Sequence, residues 1–175
     1  MAKYYFVRHG EANIEEQNKK IYKDRGQDMI TLSKKGIEQI KESSKDKRLE
    51  NAQIIITSPF GRALHTASIL SKELGIDIVV ETDLHEWQPD NNYEFLSNED
   101  AMNSFMEFVE NHGVIKNKRK YNWESVDEIT ERIKSVLNKY KNYDSVIVVC
   151  HGVVMQCFLG IDNPKNGQIE ELEIN

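Results

Sequence analysis

The chain alternates short apolar runs with longer stretches of helical periodicity, and this alternation restricts its possible folds more than any other sequence feature. Near-continuous apolar runs over 4–7, 54–57, 76–80 and 146–150 predict strands that are covered on both faces of a sheet. Residues 168–174 alternate apolar side chains with acids, which is typical of a weaker edge strand. Because helices between strands favour parallel pairing, the sequence predicts an α/β fold with a mostly parallel sheet and helices on both faces.

Helical patterns fill the intervals between these runs. Each pattern repeats its apolar residues at a spacing that places them on one side of a helix. In the third pattern the residues with this spacing are Met102, Phe105, Met106 and Val109. The predicted helices span 33–47, 59–74, 97–111, 124–140 and 151–160.

Length and composition narrow the class of protein further. A chain of 175 residues without repeats, low-complexity tracts or linkers suits one domain over 1–175. The net charge of −6 argues against a general nucleic-acid or anionic-membrane binder. No run approaches the roughly 18–20 apolar residues of a membrane span, and the apolar run at the N-terminus is too short for a signal peptide. Cys150 and Cys157 are too few for a disulfide scaffold. We therefore expect a cytoplasmic protein.

Three motifs with catalytic potential directly follow predicted strands. Arg8 and His9 follow the first strand, Arg62 lies shortly after the second, and His151 follows the fourth. Because ligands bind beyond the carboxyl ends of parallel strands, these residues should converge on one crevice. Guanidinium groups bind phosphate oxygens through charge-assisted contacts, and helix N-termini add backbone amides. Each residue alone is more often structural, but the set predicts a phosphate site.

These motifs, in this order, resemble the histidine phosphatase superfamily, also called the phosphoglycerate mutase-like family. The resemblance rests on Arg-His-Gly-Glu at 8–11, Ser-x-x-x-Arg-Ala-x-x-Thr-Ala at 58–67 and His-Gly at 151–152. Leu-Ser-x-x-Gly-x-x-Gln at 32–39 and Leu-x-Glu at 84–86 extend it over nearly the whole chain. It implies a three-layer α/β/α fold and phosphoryl chemistry that needs no metal and no cofactor.

The resemblance also implies roles for individual residues. His9 matches the nucleophile, Arg8, Arg62 and His151 match the phosphate pocket, and Glu86 matches the general acid/base. His151 also counts among the catalytic residues. Fixed arginines suit phosphoryl transfer, because they stabilise charge on the equatorial oxygens and disfavour protonation of a neighbouring imidazole. One ring nitrogen of His9 should be held by an acceptor, such as a backbone carbonyl, so that the other faces phosphorus.

The chain departs from the family's mutases in two places. Ala12 replaces a hydroxyl residue, and Asn13 could supply the lost contact to phosphate. The segment after Glu86 lacks the family's Gly-x-Trp-Glu-Gly pattern, and the chain is short where mutases build a substrate enclosure. His85 could tune its neighbour Glu86. Aromatic side chains in this segment either pack in the core or wall a leaving-group pocket, at Trp87, Tyr93, Phe95, Tyr121 and Trp123. Basic residues that could border the phosphate are Lys19, Lys20, Lys23 and Arg25.

The expected activity is hydrolysis of a small phosphorylated substrate through a phosphohistidine on His9. A protein phosphohistidine phosphatase is favoured by Ala12 but opposed by Glu86, because a phosphoramidate leaving group needs less protonation. The motifs are also compatible with a phosphoglycerate mutase and with a non-catalytic phosphate-binding module of the same fold. A metal site built from His9, His85, Glu86 and His151 lacks compact ligand spacing. The sequence does not indicate an oligomeric state.

Overall fold

A five-stranded mixed sheet forms the centre of the described part of the molecule. The computed structural model describes residues 2–15, 26–94, 96–116 and 119–174. The strand order is β3-β2-β4-β1-β5, with β5 antiparallel to β1 and the other neighbouring pairs parallel. The strands are β1 (Ala2–Arg8), β2 (Ile54–Thr57), β3 (Ile78–Val80), β4 (Ser145–Cys150) and β5 (Ile169–Ile174).

Helices cover both faces of this sheet, as the sequence predicted. They are α1 (Gly26–Met29), α2 (Lys34–Ser43), α3 (Gly61–Leu74), α4 (Asn98–Glu110), α5 (Val126–Lys139) and α6 (Gly152–Leu159), with 3-10 turns at Lys47–Leu49 and Thr82–Leu84. Tyr4 and Phe6 of β1 belong to a core cluster shared with α5 and α6. Tyr5 and Val7 face the opposite side and pack with α2 and α3. This alternation follows from the two-residue period of a strand and confirms the three-layer α/β/α architecture.

Local signals place several helix ends close to the predicted positions. The Ser33 hydroxyl accepts a hydrogen bond from the Gly36 amide and caps α2. Gly75 ends α3 in the left-handed conformation at φ 71°, which glycine adopts without a steric penalty. Ser125 and Glu128 form a reciprocal capping box at the start of α5. These caps determine where α2 and α5 begin and where α3 ends.

Two structural expectations are wrong. The third strand is not covered on both faces: β3 lies at the sheet edge, pairs only with β2 among the described residues, and leaves Val80 51% exposed. The spacing in α4 also misidentified its inner face, because the helix turns Ser104 and Phe108 inward. The Ser104 hydroxyl donates to the Pro89 carbonyl, and Met102 on the other side is 59% exposed. Met106 and Val109 share that exposure, whereas Phe105 packs partly against the core.

Across the described ranges, no helix combines the length and the apolar character needed to cross a bilayer. Cys150 is buried in the core, Cys157 is partly buried, and both are free thiols.

Candidate active site

Three neighbouring strands, β2, β4 and β1, bring the sequence motifs together at the same edge of the sheet, where their carboxyl ends lie. In the register, Val7 of β1 and Thr57 of β2 both lie opposite Val149 of β4. The three strands therefore end within one residue of each other: β2 ends at Thr57, and β1 and β4 pair for one more position, Arg8 with Cys150. This is the edge at which ligands bind in open α/β sheets, and the predicted residues Arg8, His9, Arg62 and His151 gather there.

His9 is held in one orientation by its own backbone. Its Nδ1 lies 2.7 Å from the Gly10 carbonyl oxygen. Because a carbonyl only accepts, Nδ1 carries the proton and Nε2 keeps its lone pair. The Nε of Arg62 donates to this Nε2 at 3.2 Å. The side chain is only 7% exposed, and burial, followed by the charge of Arg62, lowers the pKa of His9 to about 3. The ring is therefore neutral at physiological pH.

His151 forms the second wall of the crevice. Its ring is fully buried, its centroid lies 5.1 Å from that of His9, and its Nε2 lies 2.7 Å from the Ser58 hydroxyl. Burial, and then the charge of Arg62, hold the pKa of His151 well below its ordinary value. Its buried Nδ1 has no hydrogen-bond partner among the described residues. A buried polar atom of this kind is destabilising until a ligand atom satisfies it.

A second buried polar atom without a partner is the Nε of Arg8. Its Nε has no hydrogen-bond partner in the described part of the chain, and its Nη1 donates to the Pro164 carbonyl. The guanidinium lies against Gly152 at the start of α6, where a Cβ would come within 3.2 Å of the Arg8 Nε. A side chain at position 152 would require the Arg8 guanidinium to shift by a few tenths of an ångström.

Glu86 is held at the N-terminus of α6. Its carboxylate accepts hydrogen bonds from the Val153 and Val154 amides at 3.3 Å and from the Trp87 amide at 2.9 Å. The positive end of a helix favours a carboxylate there. The same helix begins directly after His151, so Glu86 shares the crevice with the two histidines.

Comparison with known proteins agrees with this arrangement. The model of the histidine phosphatase superfamily (branch 1) matches residues 4–169. The chain belongs to this superfamily. A Photorhabdus laumondii protein named "Probable phosphoglycerate mutase GpmB" is 26% identical over 169 residues, which cover 91% of this chain and 74% of that protein.

Solved structures share the same fold. A mycobacterial glucosyl-3-phosphoglycerate phosphatase in its native form matches with a TM-score of 0.73 at 16% identity, covering 99% of this chain and 90% of that one. Bacillus stearothermophilus YhfR matches with a TM-score of 0.69 at 20% identity, covering 100% and 92%. At these identities the likeness concerns the histidine phosphatase fold alone.

Asn13 lies in the loop after β1. Ala12 bridges to Leu32, and the Asn13 amide donates to the Thr31 carbonyl at 2.8 Å. This pairing fixes the backbone of the loop next to α2. A contact between the Asn13 side chain and phosphate stays a prediction.

The sequence did not reveal the aromatic layer behind the histidines. The centroid of the Phe60 ring lies 5.3 Å from that of His151. The Arg62 Cζ lies 5.1 Å from the same Phe60 centroid, in a cation–π contact. His85 is buried, with Nδ1 2.7 Å from the Glu86 carbonyl and Nε2 2.7 Å from the Tyr93 hydroxyl. Burial lowers the pKa of His85. Phe60 stands inside the Ser58–Arg62 motif, but nothing local showed which way its ring faces.

The aromatic residues of the middle segment divide between the core and the crevice. Trp87 and Trp123 pack in the core with Phe108, and Tyr121 packs partly against it. Tyr93 is instead 47% exposed, and its ring lies against that of His85. The other candidates of the sequence analysis, Phe95, Lys19, Lys20, Lys23 and Arg25, lie outside the described residues.

No group of three or more His, Cys, Asp or Glu side chains within the described ranges could hold a metal ion. His9, Arg62 and His151 instead form a cluster in which the arginine supplies the positive charge. That arrangement can bind an anion and present an unprotonated imidazole nitrogen to it.

The buried imidazoles predict a fold that weakens in mild acid. His9 and His151 have lowered pKa values in the folded protein, whereas the unfolded chain takes up protons at its ordinary histidine pKa. Stability present above that pKa is therefore lost as the pH falls below it. Between about pH 7.5 and about pH 5.5, each histidine should lower the free energy of unfolding by about 1.4 kcal/mol. Urea unfolding at both pH values measures the change, and a total loss below about 1 kcal/mol would contradict two neutral imidazoles.

Proposed function

We propose that this chain is a metal-independent phosphomonoester hydrolase that works through a phosphohistidine on His9. The observation that carries the proposal is the state of His9: neutral, held at Nδ1 by the Gly10 carbonyl, with Nε2 directed at Arg62. An unprotonated nitrogen held in a fixed direction is what nucleophilic attack on phosphorus requires. Membership of a superfamily that includes phosphatases supports the proposal.

The first step transfers the phosphoryl group to the protein. An incoming phosphate oxygen takes over the hydrogen bond from the Arg62 Nε, which frees the Nε2 lone pair of His9. That lone pair attacks phosphorus in line and the bond from phosphorus to the ester oxygen breaks. Glu86 must enter this step as the carboxylic acid, and it gives its proton to the departing oxygen. The equatorial oxygens would bind the Arg8 Nε and the His151 Nδ1, and the burial of these two atoms without a partner among the described residues supports this assignment.

The second step returns the protein to its starting state. Glu86, now a carboxylate, takes a proton from water as the water oxygen attacks the phosphohistidine. The bond from phosphorus to Nε2 breaks and inorganic phosphate leaves. Glu86 serves both steps because one residue that has donated a proton can accept one in the next. Its position at the start of α6 favours the carboxylate form, which is the form that accepts the proton from water in this step.

The test is phosphate release from p-nitrophenyl phosphate in excess chelator, combined with a rapid quench in base. A phosphohistidine survives base and is lost in acid, so the wild-type chain should carry an acid-labile phosphoryl group during turnover. Activity that disappears with chelator would overturn the metal-independent mechanism. Phosphate binding without turnover on any ester would favour a non-catalytic phosphate-binding module.

A phosphoglycerate mutase is the second candidate, because the matched Photorhabdus laumondii protein carries that name. A mutase returns the phosphoryl group to a substrate hydroxyl, whereas a hydrolase gives it to water. Incubation with a phosphoglycerate separates the two, since interconversion of isomers without phosphate release would favour the mutase. A protein phosphohistidine phosphatase would instead release phosphate faster from a phosphohistidine peptide than from esters.

Replacement of Glu86 by glutamine tests its role as the acid. We expect a loss of about 10²–10⁴-fold in kcat/KM on alkyl phosphates, because a poor leaving group needs protonation. On p-nitrophenyl phosphate the loss should be smaller, since a good leaving group departs unprotonated. Equal losses on both substrates would show that Glu86 is not the proton donor. The matched control is Glu38→Gln, because Glu38 lies on the exposed side of α2 and pairs with the exposed Lys41.

A further inference from the structure

The loop between α6 and β5 wraps around the two residues that begin the phosphate site. We call residues 164–167 the strap. The Pro164 carbonyl accepts from the Arg8 guanidinium, and the Gly167 amide donates to the Arg8 carbonyl at 3.0 Å. The Arg8 amide donates to the Gln168 carbonyl at 3.0 Å, at the start of the pairing with β5. Arg8 is therefore bound through its side chain and both of its backbone groups.

The strap is itself fixed to α2. The Ser43 Oγ lies 2.7 Å from the Gly167 carbonyl oxygen and 3.0 Å from the Gln39 carbonyl oxygen, and its single proton is available to either. Gly167 adopts φ 75°, and a Cβ at this position would come within 2.8 Å of the Ser43 Oγ. Only glycine meets both constraints without strain. Pro164 is buried and cannot donate from its own nitrogen. The strap therefore has a defined shape set by packing and backbone conformation.

Asn166 contacts the peptide bond that orients the nucleophile. Its Nδ2 donates to the His9 carbonyl at 2.9 Å. The other end of the same peptide, the Gly10 amide, donates to the Thr66 hydroxyl at 3.2 Å. The His9–Gly10 peptide plane is thus held on both sides. The next carbonyl along the chain, that of Gly10, is the one that accepts from the imidazole Nδ1.

From this geometry we propose that Asn166 is a positioning residue for His9. It holds the His9–Gly10 peptide, which leads into the peptide that carries the Gly10 carbonyl. The amide of that second peptide, from Glu11, donates to the Gln39 Oε1 at 2.9 Å, so Asn166 and Gln39 together set the direction of the carbonyl and of the imidazole Nε2. The inference rests on the proposed function of His9, because the cost of losing the orientation falls on the attack at phosphorus. Its amide bonds to the backbone carbonyl of His9 and not to the imidazole, so we assign its effect to the backbone.

Two variants separate loss of the hydrogen bond from loss of packing. Asn166→Ala removes the amide, and Asn166→Asp keeps its shape but places an oxygen against the His9 carbonyl. We expect kcat to fall about 10–100-fold in both, since a misplaced nucleophile is penalised mainly in the chemical step. KM should change by less than about 3-fold, because ground-state binding stays with the arginines. Asn138→Asp, on the exposed side of α5, is the matched control.

A second measurement tests the orientation directly and does not depend on turnover. Nitrogen-15 NMR of the His9 ring should show the Nδ1–H form alone in wild type and a mixture of tautomers in Asn166→Asp. Wild-type kcat and an unchanged His9 tautomer in Asn166→Asp would overturn the proposal. If wild type releases no phosphate but the tautomer responds to Asn166, the proposed function fails and the positioning role stands.

Discussion

Replacing His9 with alanine is expected to lower phosphate release by at least about 10³-fold, since removing a covalent nucleophile leaves only binding and electrostatic stabilisation. The variant should also lose the acid-labile phosphoryl group seen on rapid quenching. Binding of inorganic phosphate should persist, because Arg8, Arg62 and His151 remain. Steady-state release from p-nitrophenyl phosphate, together with titration of inorganic phosphate, checks both expectations.

The same variant has a stability signature that distinguishes loss of chemistry from loss of fold. His9 is neutral and buried, so its removal should abolish its share of the acid sensitivity, about 1.4 kcal/mol between about pH 7.5 and about pH 5.5. His112→Asn is the matched control: His112 is exposed, and asparagine tolerates its left-handed φ of 54°. If His9→Ala folds normally and still turns over at a comparable rate, the nucleophile is another group or water.

Replacing Arg132 with alanine is expected to destabilise the fold by about 3–5 kcal/mol, because it leaves a buried carboxylate without its partner. Arg132 of α5 donates to Glu124 through Nε at 2.5 Å and Nη2 at 3.0 Å, and both side chains are largely buried. The remaining nitrogen, Nη1, donates to the Asp83 carbonyl at 2.5 Å. Urea unfolding of the wild type and the variant measures the loss.

The effect on catalysis should follow from the same contacts. Glu124 accepts from the Gln88 amide through its carboxylate and from the Trp87 indole through its carbonyl. These bonds hold the two residues that directly follow Glu86, and the bond from Arg132 to the Asp83 carbonyl holds the chain three residues before it. Arg132→Ala should therefore lower kcat on alkyl phosphates more than on p-nitrophenyl phosphate, as loss of the acid does.

A double variant separates the ion pair from simple truncation. Glu124→Gln with Arg132→Met removes both charges and should recover much of the stability, since apolar replacement of a buried pair is often neutral. Lys45→Ala breaks an exposed pair with Glu42 and should change stability by less than about 1 kcal/mol. A loss of that small size in Arg132→Ala would show that the buried pair contributes little.

Signals that act within a few residues predicted most of the fold. The strand runs, the Ser33 cap and the Gly75 stop each depend on neighbours in sequence, and the structure has all three. The position of β3 at the sheet edge could not be predicted from neighbouring residues, because the sequence Ile-Val-Val is compatible with both an edge and a central strand. In α4 the inner face was misidentified because a small polar residue, Ser104, occupies it through a bond to a distant carbonyl.

In the candidate site, too, local motifs were predictable from the sequence and long-range contacts were not. The motifs predicted that His9, Arg62 and His151 converge, and the parallel register brings their strand ends together. The strap could not be predicted, since Asn166 reaches the His9 carbonyl from 157 positions away in sequence. The pairing of Arg132 with Glu124 could not be predicted either. The two lie eight residues apart, and the pair contributes to stability because it is buried, which the sequence does not show.

The place of β1 in the sheet has a consequence for biosynthesis. β1 is made first, yet it pairs with β4 and β5, whose residues are 145–150 and 169–174. Until a ribosome has released those segments, Tyr4 to Val7 have no sheet partner and remain an exposed apolar stretch. Such late, long-range pairing slows folding and leaves the nascent chain open to chaperones and to association. A chain stalled before residue 145 should therefore lack protection from proteases at β1, and His9, which follows β1, would take its place only after β1 has paired with β4.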